Sequence, residues 1–270
     1  MRVMSYNTLF GGYDRDDSTR FDLQVDAVLF ADPDILMVQE WKEFLSDGGR
    51  RLFDAERKLK RRALVAAAPG TGQNTAILVK PDTVIHSFEI DNTNFHHAAA
   101  ITTLQIPGLQ TPLTAVSVHL CPNGPDIRMR EASYLAGIVG GNPNVVIGGD
   151  FNSISPHDPE PTLGELPPHY RVRYADEQGK AHRLTLSRLE QAGLVDLAVK
   201  LNQNHIATVP GDSFKDREFV SFRCDYLLSS QSLSELAVEY KVLNDPSSLG
   251  RASDHYPIMV AFDLPRSNGA

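Results

Sequence analysis

The chain has 270 residues, of which 41% are hydrophobic, and it carries a formal net charge of −8. This length suits one large domain with a sizeable core, and the acidic balance argues against a protein that holds long nucleic acid by charge alone. No run approaches the ~20 apolar residues of a membrane-crossing helix, and the chain enters a strand without a signal-peptide-like stretch, so no membrane span and a cytoplasmic location are expected.

Apolar runs with the length and flanking residues of strands recur along the whole chain. They predict strands at 2–8, 35–40, 74–80, 83–90, 98–106, 113–120, 144–150, 222–229, 236–243 and 258–264. Because many strands with few helices between them fit two packed sheets flanked by helices, the expected fold class is α/β. No linker or repeat divides the chain, so a single domain over 1–264 is predicted, followed by a disordered tail at 265–270.

Four segments show helical periodicity. The first begins at Ser18 or Thr19 and ends at the Asp32-Pro33 turn, and the others cover 50–64, the residues after Pro125, and 184–192. The apolar positions expected on the inner faces of the first two are Phe21, Val25, Val28, Leu29, Leu52, Phe53, Leu59 and Leu64. The segment 153–183 has little apolar periodicity, so it is predicted to be a surface loop near the mouth of a site.

Polar side chains stand where several of these predicted strands end. Asp150 and Asn152 follow one apolar run and point the same way, because side chains alternate along a strand. An acceptor that can hold water beside an amide that can hold a phosphate oxygen suits phosphoester hydrolysis; the alternative is a simple Asp-x-Asn turn. The other polar residues at or near such ends are Asn7, Glu40, His119, Asp225, Asp254 and His255.

Six short motifs follow one another between residues 3 and 263. They are Ser-Tyr-Asn-Thr, Val-Gln-Glu, Ser-Val-His-Leu, Gly-Gly-Asp-Phe-Asn, Cys-Asp-Tyr-Leu and Ser-Asp-His-Tyr-Pro. Their order and their strand-end placement resemble the endonuclease/exonuclease/phosphatase superfamily, the DNase I-like group. The resemblance implies a four-layered α/β sandwich, in which two packed mixed β-sheets are flanked by helices, and a metal-dependent phosphoester hydrolase.

A divalent cation is the expected cofactor. Mg²⁺ prefers oxygen ligands and is usually held by one or two carboxylates. Glu40 is the best candidate ligand, since it follows an apolar strand that would otherwise bury its charge unpaired; the alternative is a solvated strand-end acid. Asp254 is expected to join it directly or through water, and the resemblance adds Asn7, which alone would indicate a turn. Mn²⁺ is the alternative ion.

The proton-transfer roles fall to the remaining strand-end residues. Asp150 is expected to orient the attacking water or accept its proton, and Asn152 to hold that water or a phosphate oxygen. His255 is the candidate donor to the scissile phosphate, because nearby carboxylates favour its charged form and Asp225 can orient its ring. The resemblance implies this His–Asp pair, and it implies that His119 contacts the phosphate or assists the leaving oxygen.

Three further residues are candidates for substrate binding. Arg128 matches an arginine before a helix in many relatives, with a surface helix arginine as the alternative. Asn74 lies in a stretch where relatives place a polar group near the substrate. His96 and His97 are adjacent, and two adjacent side chains on a strand would face opposite ways, so only one of them is expected to line the site, and His97 is the candidate.

The sequence therefore predicts a Mg²⁺-dependent phosphoester hydrolase. A phosphodiesterase or nuclease acting on nucleic acid or a nucleotide-like substrate is favoured, because many relatives act there. The alternatives are a phosphomonoesterase acting on a small phosphorylated metabolite or a lipid headgroup, and a non-catalytic phosphate-binding module on the same scaffold. A monomer is expected.

Overall fold

The structure is a computed structural model, and it describes residues 1–140, 142–215, 219–245 and 248–265. The predicted tail at 265–270 therefore lies, apart from its first residue, outside the described residues. Within the described parts of the chain, no helix has both the length and the apolar character needed to cross a membrane.

The first sheet contains six strands in the order β11-β12-β1-β2-β4-β3. β1 and β2 are parallel, and the other neighbours in this sheet are antiparallel. The strand bounds are β1 Arg2–Asn7, β2 Ile35–Gln39, β3 Arg62–Ala66, β4 Thr75–Val79, β11 Ala237–Val242 and β12 Ile258–Phe262.

The second sheet also contains six strands, in the order β5-β6-β7-β8-β10-β9. Here β7 and β8 form the parallel pair, and the other neighbours are antiparallel. The strand bounds are β5 Val84–Asp91, β6 Ala99–Gln105, β7 Leu113–His119, β8 Val145–Asp150, β9 Leu194–Asp196 and β10 Asp225–Ser230.

The two sheets pack face to face, and helices cover both outer faces. Val3, Ile35 and Ile77 of the first sheet share one buried cluster with Ala115 and Val146 of the second. A further cluster joins the outer face of the first sheet to α1 and α2, and another joins that of the second sheet to α3 and α5. The helices are α1 Thr19–Ala31, α2 Arg50–Leu59, α3 Pro125–Val139, α4 Pro168–Arg171, α5 Leu184–Gln191, α6 Leu197–Lys200 and α7 Gln231–Ser234. The predicted four-layered α/β sandwich is confirmed.

The helix predicted at 50–64 is wrong in its second half. α2 ends at Leu59, Lys60 takes a left-handed conformation with φ of 55°, and Leu64 belongs to β3. Arg61 lies buried beyond this turn and donates to the Leu59 and Pro33 carbonyl oxygens, which fixes the change of direction. Phe53, expected to face inward, is 65% exposed.

The segment 153–183 is more than the predicted surface loop. Its apolar side chains Ile154, Leu163, Leu166 and Tyr174 are buried together with Phe222 in a separate cluster beside the second sheet. The segment therefore carries a small core of its own, which sequence periodicity did not indicate because its members are irregularly spaced.

Candidate active site

Five strand ends meet at one edge of the sandwich. In the register of the second sheet, Asp150 lies opposite His119 of β7 on one side and opposite Asp225 of β10 on the other. β1 packs against β8 across the two sheets, which brings Asn7 to the same place. Parallel pairing of β1 with β2 brings the end of β2, and hence Glu40, alongside. The topology thus gathers polar residues that are far apart in sequence.

The two glycines before Asp150 allow this close approach. A Cβ atom on Gly148 would lie 2.6 Å from Met37 Sδ of the facing sheet. Gly149 has φ of 155°, and a Cβ atom there would lie 1.9 Å from the Val118 carbonyl oxygen. Any larger residue would force the sheets or strands apart at the site.

Asn7 is hydrogen-bonded to several members of the site. Its Nδ2 donates to Asp150 Oδ2 at 3.0 Å and to Glu40 Oε1 at 3.3 Å, and it lies 3.4 Å from His255 Nε2. Its Oδ1 accepts from the Leu9 backbone N–H at 3.2 Å. In this arrangement the amide orients two carboxylates, and its oxygen is engaged by the backbone.

Asp150 and Asn152 form a tight turn and also face the site. The Asn152 backbone N–H donates to Asp150 Oδ1 at 2.8 Å, and the Asn152 amide donates to the Leu120 carbonyl oxygen at 2.9 Å. Both the turn and the functional interpretation are therefore compatible with the structure. Burial raises the pKa of Asp150 to about 7, although the charge on His255 lowers it in part.

His255 and Asp225 form a buried pair. His255 Nδ1 lies 2.9 Å from Asp225 Oδ2, and both residues are almost inaccessible to solvent. Burial by itself would lower the pKa of His255, but the neighbouring charges, Asp225 foremost, outweigh it and raise the pKa well above its usual value. The imidazole is therefore held in its protonated form, with Nδ1–H donating to Asp225.

His119 and His97 form a second, uncharged pair. Their rings stack with centroids 4.3 Å apart, and His119 Nε2 lies 3.4 Å from Asp150 Oδ2. Burial, and then the charge on His96, lower the pKa of His97 to about 3. Burial, and then the unfavourable interaction that a charged His119 would have with His97, hold the pKa of His119 well below its usual value. The site thus contains one charged imidazole and two neutral ones.

The sequence model of the Endonuclease/Exonuclease/phosphatase family matches residues 4–255. The chain belongs to this family. Among curated proteins, no sequence match is found. The match covers the strand-end residues described above up to His255, so the predicted membership is confirmed.

Solved structures with the same fold include other members of this family. A 3′ phosphatase, NExo, from Neisseria, bound to product DNA hairpin, has a TM-score of 0.68 and 18% identity over 98% of this chain and 100% of its own. Truncated TDP2 from Caenorhabditis elegans has a TM-score of 0.64 and 20% identity over 97% of this chain and 96% of its own. A mannosyl-6-phosphatase from Bacteroides thetaiotaomicron has a TM-score of 0.68 and 17% identity over 98% of this chain and 100% of its own. At these identities the likeness shows the fold alone.

Most of the strand-end residues of this Endonuclease/Exonuclease/phosphatase family member line a pocket of about 190 Å³. Asn7 and Asp225 are not in its lining, but they contact the lining residues Asp150 and His255. The predicted residues in its lining are Glu40, His97, His119, Asp150, Asn152, Asp254 and His255. Sequence reasoning missed several others, namely Leu9, Phe10, Gln73, Pro122, Arg173, Tyr174 and Phe219. A larger groove of about 660 Å³ near α2 contains none of the predicted site residues and mixes arginines with acids.

Arg128 and Asn74 are buried near the pocket without lining it. Arg128 is fully buried, so the surface-arginine alternative is wrong, and its guanidinium donates to the carbonyl oxygens of Cys121 and Arg173. The Asn74 amide donates to the Trp41 carbonyl oxygen and accepts from the Ala68 backbone N–H, both at 2.9 Å. In this structure both side chains hold backbone segments in place.

Glu131 fixes the backbone near the two neutral imidazoles. Its Oε1 accepts from the His96 backbone N–H at 2.7 Å, and its Oε2 accepts from the Cys121 backbone N–H at 2.9 Å. Both carboxylate oxygens are used, which a glutamine could not reproduce because its amide nitrogen does not accept. Glu131 therefore positions the residues next to His97 and His119.

The residues present fit a divalent cation. Glu40 and Asp254 line the same pocket, and their carboxylates repel each other. Burial and this neighbouring charge raise the pKa of Glu40 to about 7. A hard cation bound by the oxygens of both carboxylates would offset that repulsion. Asp150, Cys224 and His255 form a second group of potential donors, whose ligand atoms all lie within 4.8 Å of one another. Burial raises the pKa of the Cys224 thiol well above its usual value, and a protonated thiol is a poor Mg²⁺ ligand.

Proposed function

We propose that this chain is a Mg²⁺-dependent phosphoester hydrolase that acts on nucleic acid or a nucleotide-like substrate. The observation that carries the proposal is the charge pattern around Asp150. This carboxylate lies 3.6 Å from His255 Nε2, and Asp225 keeps that imidazole protonated from its other side. A proton acceptor and a proton donor therefore face one pocket in a family whose members hydrolyse phosphoesters.

Glu40 and Asp254 would hold the cation, with Asn7 orienting Glu40 or adding its own oxygen. When bound, Mg²⁺ or Mn²⁺ would neutralise charge on the phosphoryl oxygens and orient the attacking water. Both ions prefer such oxygen donors. The Glu40 carboxylate is already oriented for this role, because it also accepts from the Phe10 backbone N–H at 3.1 Å.

The remaining residues would act on protons and on the phosphoryl group. Asp150 orients the water and accepts its proton, while Asn152 contacts that water or a phosphoryl oxygen. His255 donates to a phosphoryl oxygen as charge develops there. His119, which is neutral, contacts the phosphoryl group or the leaving oxygen, and the neighbouring His97 contacts the substrate. Arg128 and Asn74 would act on the substrate only through the backbone they hold.

Two neighbours with this fold contain DNA products and motivate a nucleic-acid or nucleotide substrate, whereas the mannosyl-6-phosphatase motivates the second candidate below. The Neisseria structure is a 3′ phosphatase bound to product DNA hairpin, and a Danio rerio TDP2 structure contains single-strand DNA product. The second candidate is a phosphomonoesterase acting on a small metabolite or lipid headgroup, which the pocket volume of about 190 Å³ favours. The third candidate is a module that binds phosphate ligands without turnover. The presence of Glu40, Asp150 and His255 together in one pocket argues against it. The cytoplasmic location and the monomeric state remain predictions.

The test is metal-dependent hydrolysis across a panel of DNA, RNA, nucleotide, sugar-phosphate and lipid-headgroup phosphoesters. We expect turnover with Mg²⁺ or Mn²⁺ on at least one class, and loss of turnover of about 10²-fold or more with a chelator, because the cation stabilises the transition-state charge. Released phosphate or alcohol is measured. Turnover that is unaffected by chelation, or tight binding of every phosphate ligand without turnover, would contradict the proposal.

The affinity for Mg²⁺ is expected to rise with pH. The pKa of Glu40, about 7 without a cation, lies above its ordinary 4.5. Below pH 7 a proton therefore occupies this ligand and must leave as Mg²⁺ binds, so the affinity should increase up to about tenfold per pH unit below 7 and level off above about pH 8. Calorimetric titration at several pH values, in buffers of different ionisation enthalpy, measures both the affinity and the protons released.

The Glu40→Gln variant is the matched control for this titration. It removes the titrating ligand, so it should bind Mg²⁺ more weakly and lose most of the pH dependence. Wild-type affinity that is constant from about pH 6 to about pH 8 would show that Glu40 does not titrate in this range, and unchanged Mg²⁺ affinity in Glu40→Gln would show that Glu40 does not hold the ion.

A further inference from the structure

One side of the pocket is formed by aromatic side chains from the long connection between β8 and β10. The Phe219 ring stands edge-on to the His255 imidazole, with centroids 5.4 Å apart and an interplanar angle of 82°. Tyr174 and Phe222 pack behind it, with ring centroids 6.4 Å and 6.1 Å from that of Phe219. We call Tyr174, Phe219 and Phe222 the aromatic wall.

The aromatic wall is anchored to the rest of the fold. Its three side chains are buried in the cluster that also contains Cys224, which directly precedes Asp225 in sequence. The backbone before Tyr174 is held by the Arg128 guanidinium, which donates to the Arg173 carbonyl oxygen. A wall buried in this cluster and anchored at Arg173 limits the space beside His255 in the folded protein.

The size and charge of the pocket agree with a small reacting group. Its volume of about 190 Å³ is below the ~300–1,000 Å³ of pockets that enclose a drug-sized ligand. The acids Glu40, Asp150 and Asp254 lie in its lining, and Arg173 is the arginine in that lining. A strand passing through the site would need a basic track on both sides of the scissile phosphate, and this lining offers one arginine on the side of the wall.

We infer that the aromatic wall restricts the site to phosphomonoesters, that is, terminal phosphate groups, and that Phe219 determines this specificity. The inference rests on the proposed function. In the reaction, a bond forms between the water oxygen and phosphorus while the bond from phosphorus to the ester oxygen breaks. The water proton passes to Asp150, which then releases it to solvent, and the leaving oxygen takes a proton from solvent water, so that the products are an alcohol and inorganic phosphate. The Phe219 ring stands beside His255, which in the proposed function donates to a phosphoryl oxygen, so it leaves little room there for the second substituent that a diester carries on phosphorus.

The test compares a monoester and a diester that share one leaving group. Wild-type protein and the Phe219→Ala and Phe219→Val variants are assayed with Mg²⁺ on 4-nitrophenyl phosphate and on its methyl diester. We expect wild-type kcat/KM to favour the monoester by at least about tenfold and Phe219→Ala to reduce that ratio by at least about tenfold, mainly through faster diester hydrolysis. Phe219→Val should lie between the two, and it decides the result if Phe219→Ala does not fold.

A second set of substrates identifies the source of the terminal phosphate. It contains 3′-phosphorylated and 5′-phosphorylated oligonucleotides, a hexose 6-phosphate, and closed circular single-stranded DNA, which has only internal diesters. Phosphate release from any terminal ester without cutting of the circle supports the inference. The ester that is hydrolysed fastest shows whether the terminal phosphate belongs to a nucleic acid or to a sugar. The Phe53→Ala variant removes an exposed phenyl ring that does not line the pocket, and it should leave every ratio unchanged.

The two possible failures can be told apart. Cutting of the closed circle by wild-type protein, or an unchanged ratio in both Phe219 variants, overturns the role of the wall and leaves metal-dependent hydrolysis standing. If no phosphoester is hydrolysed under any metal condition, the proposed function fails, and the inference that rests on it fails as well.

Discussion

Replacing Arg223 with methionine is expected to lower the free energy of unfolding by about 3–5 kcal/mol. Arg223 is buried and pairs with two carboxylates that are also buried: its guanidinium lies 2.6 Å from Asp158 Oδ1 and 2.7 Å from Asp196 Oδ2. Methionine fills a similar volume but leaves both acids without a cation. Burial raises the pKa of Asp158 even while Arg223 is present, so the loss of the guanidinium would raise it further. Urea denaturation followed by circular dichroism measures the change.

Arg57→Met is the control for this substitution. Arg57 also lies 2.6 Å from a carboxylate, that of Asp54, but its side chain is 73% exposed, so water screens the pair. Its replacement should change stability by less than about 1 kcal/mol. Adding Asp158→Asn to the Arg223→Met variant should recover part of the loss, because one unpaired charge is removed. An Arg223→Met protein within about 1 kcal/mol of wild type would mean that the two acids reach water.

The sequence could predict that the polar residues of the site lie close together, because they stand at the ends of strands. Asn7, Asp150 and His119 each close an apolar strand, and parallel pairing places the carboxyl ends of neighbouring strands at one edge of a sheet. That rule needs no knowledge of distant contacts. It accounts for the presence of Asp150 and His119 together in the lining of the pocket, with Asn7 hydrogen-bonded to Asp150.

Elements that depend on a single buried contact could not be predicted in this way. The periodicity of 50–64 continues past Leu59, yet the chain turns there because Arg61 is drawn inward to the Pro33 carbonyl oxygen. β9 has only three residues, and its last residue, Asp196, is fixed by Arg223 and by the first turn of α6. Neither contact changes the spacing of apolar residues along the chain, so periodicity cannot predict it.

The aromatic wall shows the same limit on the functional side. Tyr174 and Phe219 are 45 positions apart, in segments without apolar periodicity, and they meet only in the folded structure. A motif can likewise point to a residue whose side chain is used elsewhere, as Arg128 shows by donating to two backbone carbonyl oxygens. The polar residues at strand ends could be identified from the sequence, whereas the shape of the pocket could not.

Replacing His255 with glutamine is expected to lower kcat by about 10³-fold while leaving the affinity for Mg²⁺ nearly unchanged. Glutamine can donate a neutral N–H but cannot supply the charge that Asp225 maintains on the imidazole. Glu40 and Asp254 remain in place, so the ion should still bind. Steady-state kinetics on the substrate found in the panel, with calorimetric Mg²⁺ titration of the same variant, separates the two effects. His157→Gln serves as control, because that side chain is 48% exposed and pairs with Glu190 outside the pocket.

The Asp225→Asn variant tests the origin of the charge on His255. Asparagine can still accept from Nδ1–H, which lies 2.9 Å from Asp225 Oδ2 in the wild type, so the ring orientation is kept. The negative charge that raises the pKa of His255 is lost, and the pKa should fall toward its ordinary value. Since the protonated imidazole is the active form, activity should be lost at a lower pH on the alkaline side of the kcat profile than in the wild type. A profile with an unshifted alkaline limb would mean that His255 acts without its proton, and a loss of Mg²⁺ affinity in His255→Gln would instead assign this residue to the cation.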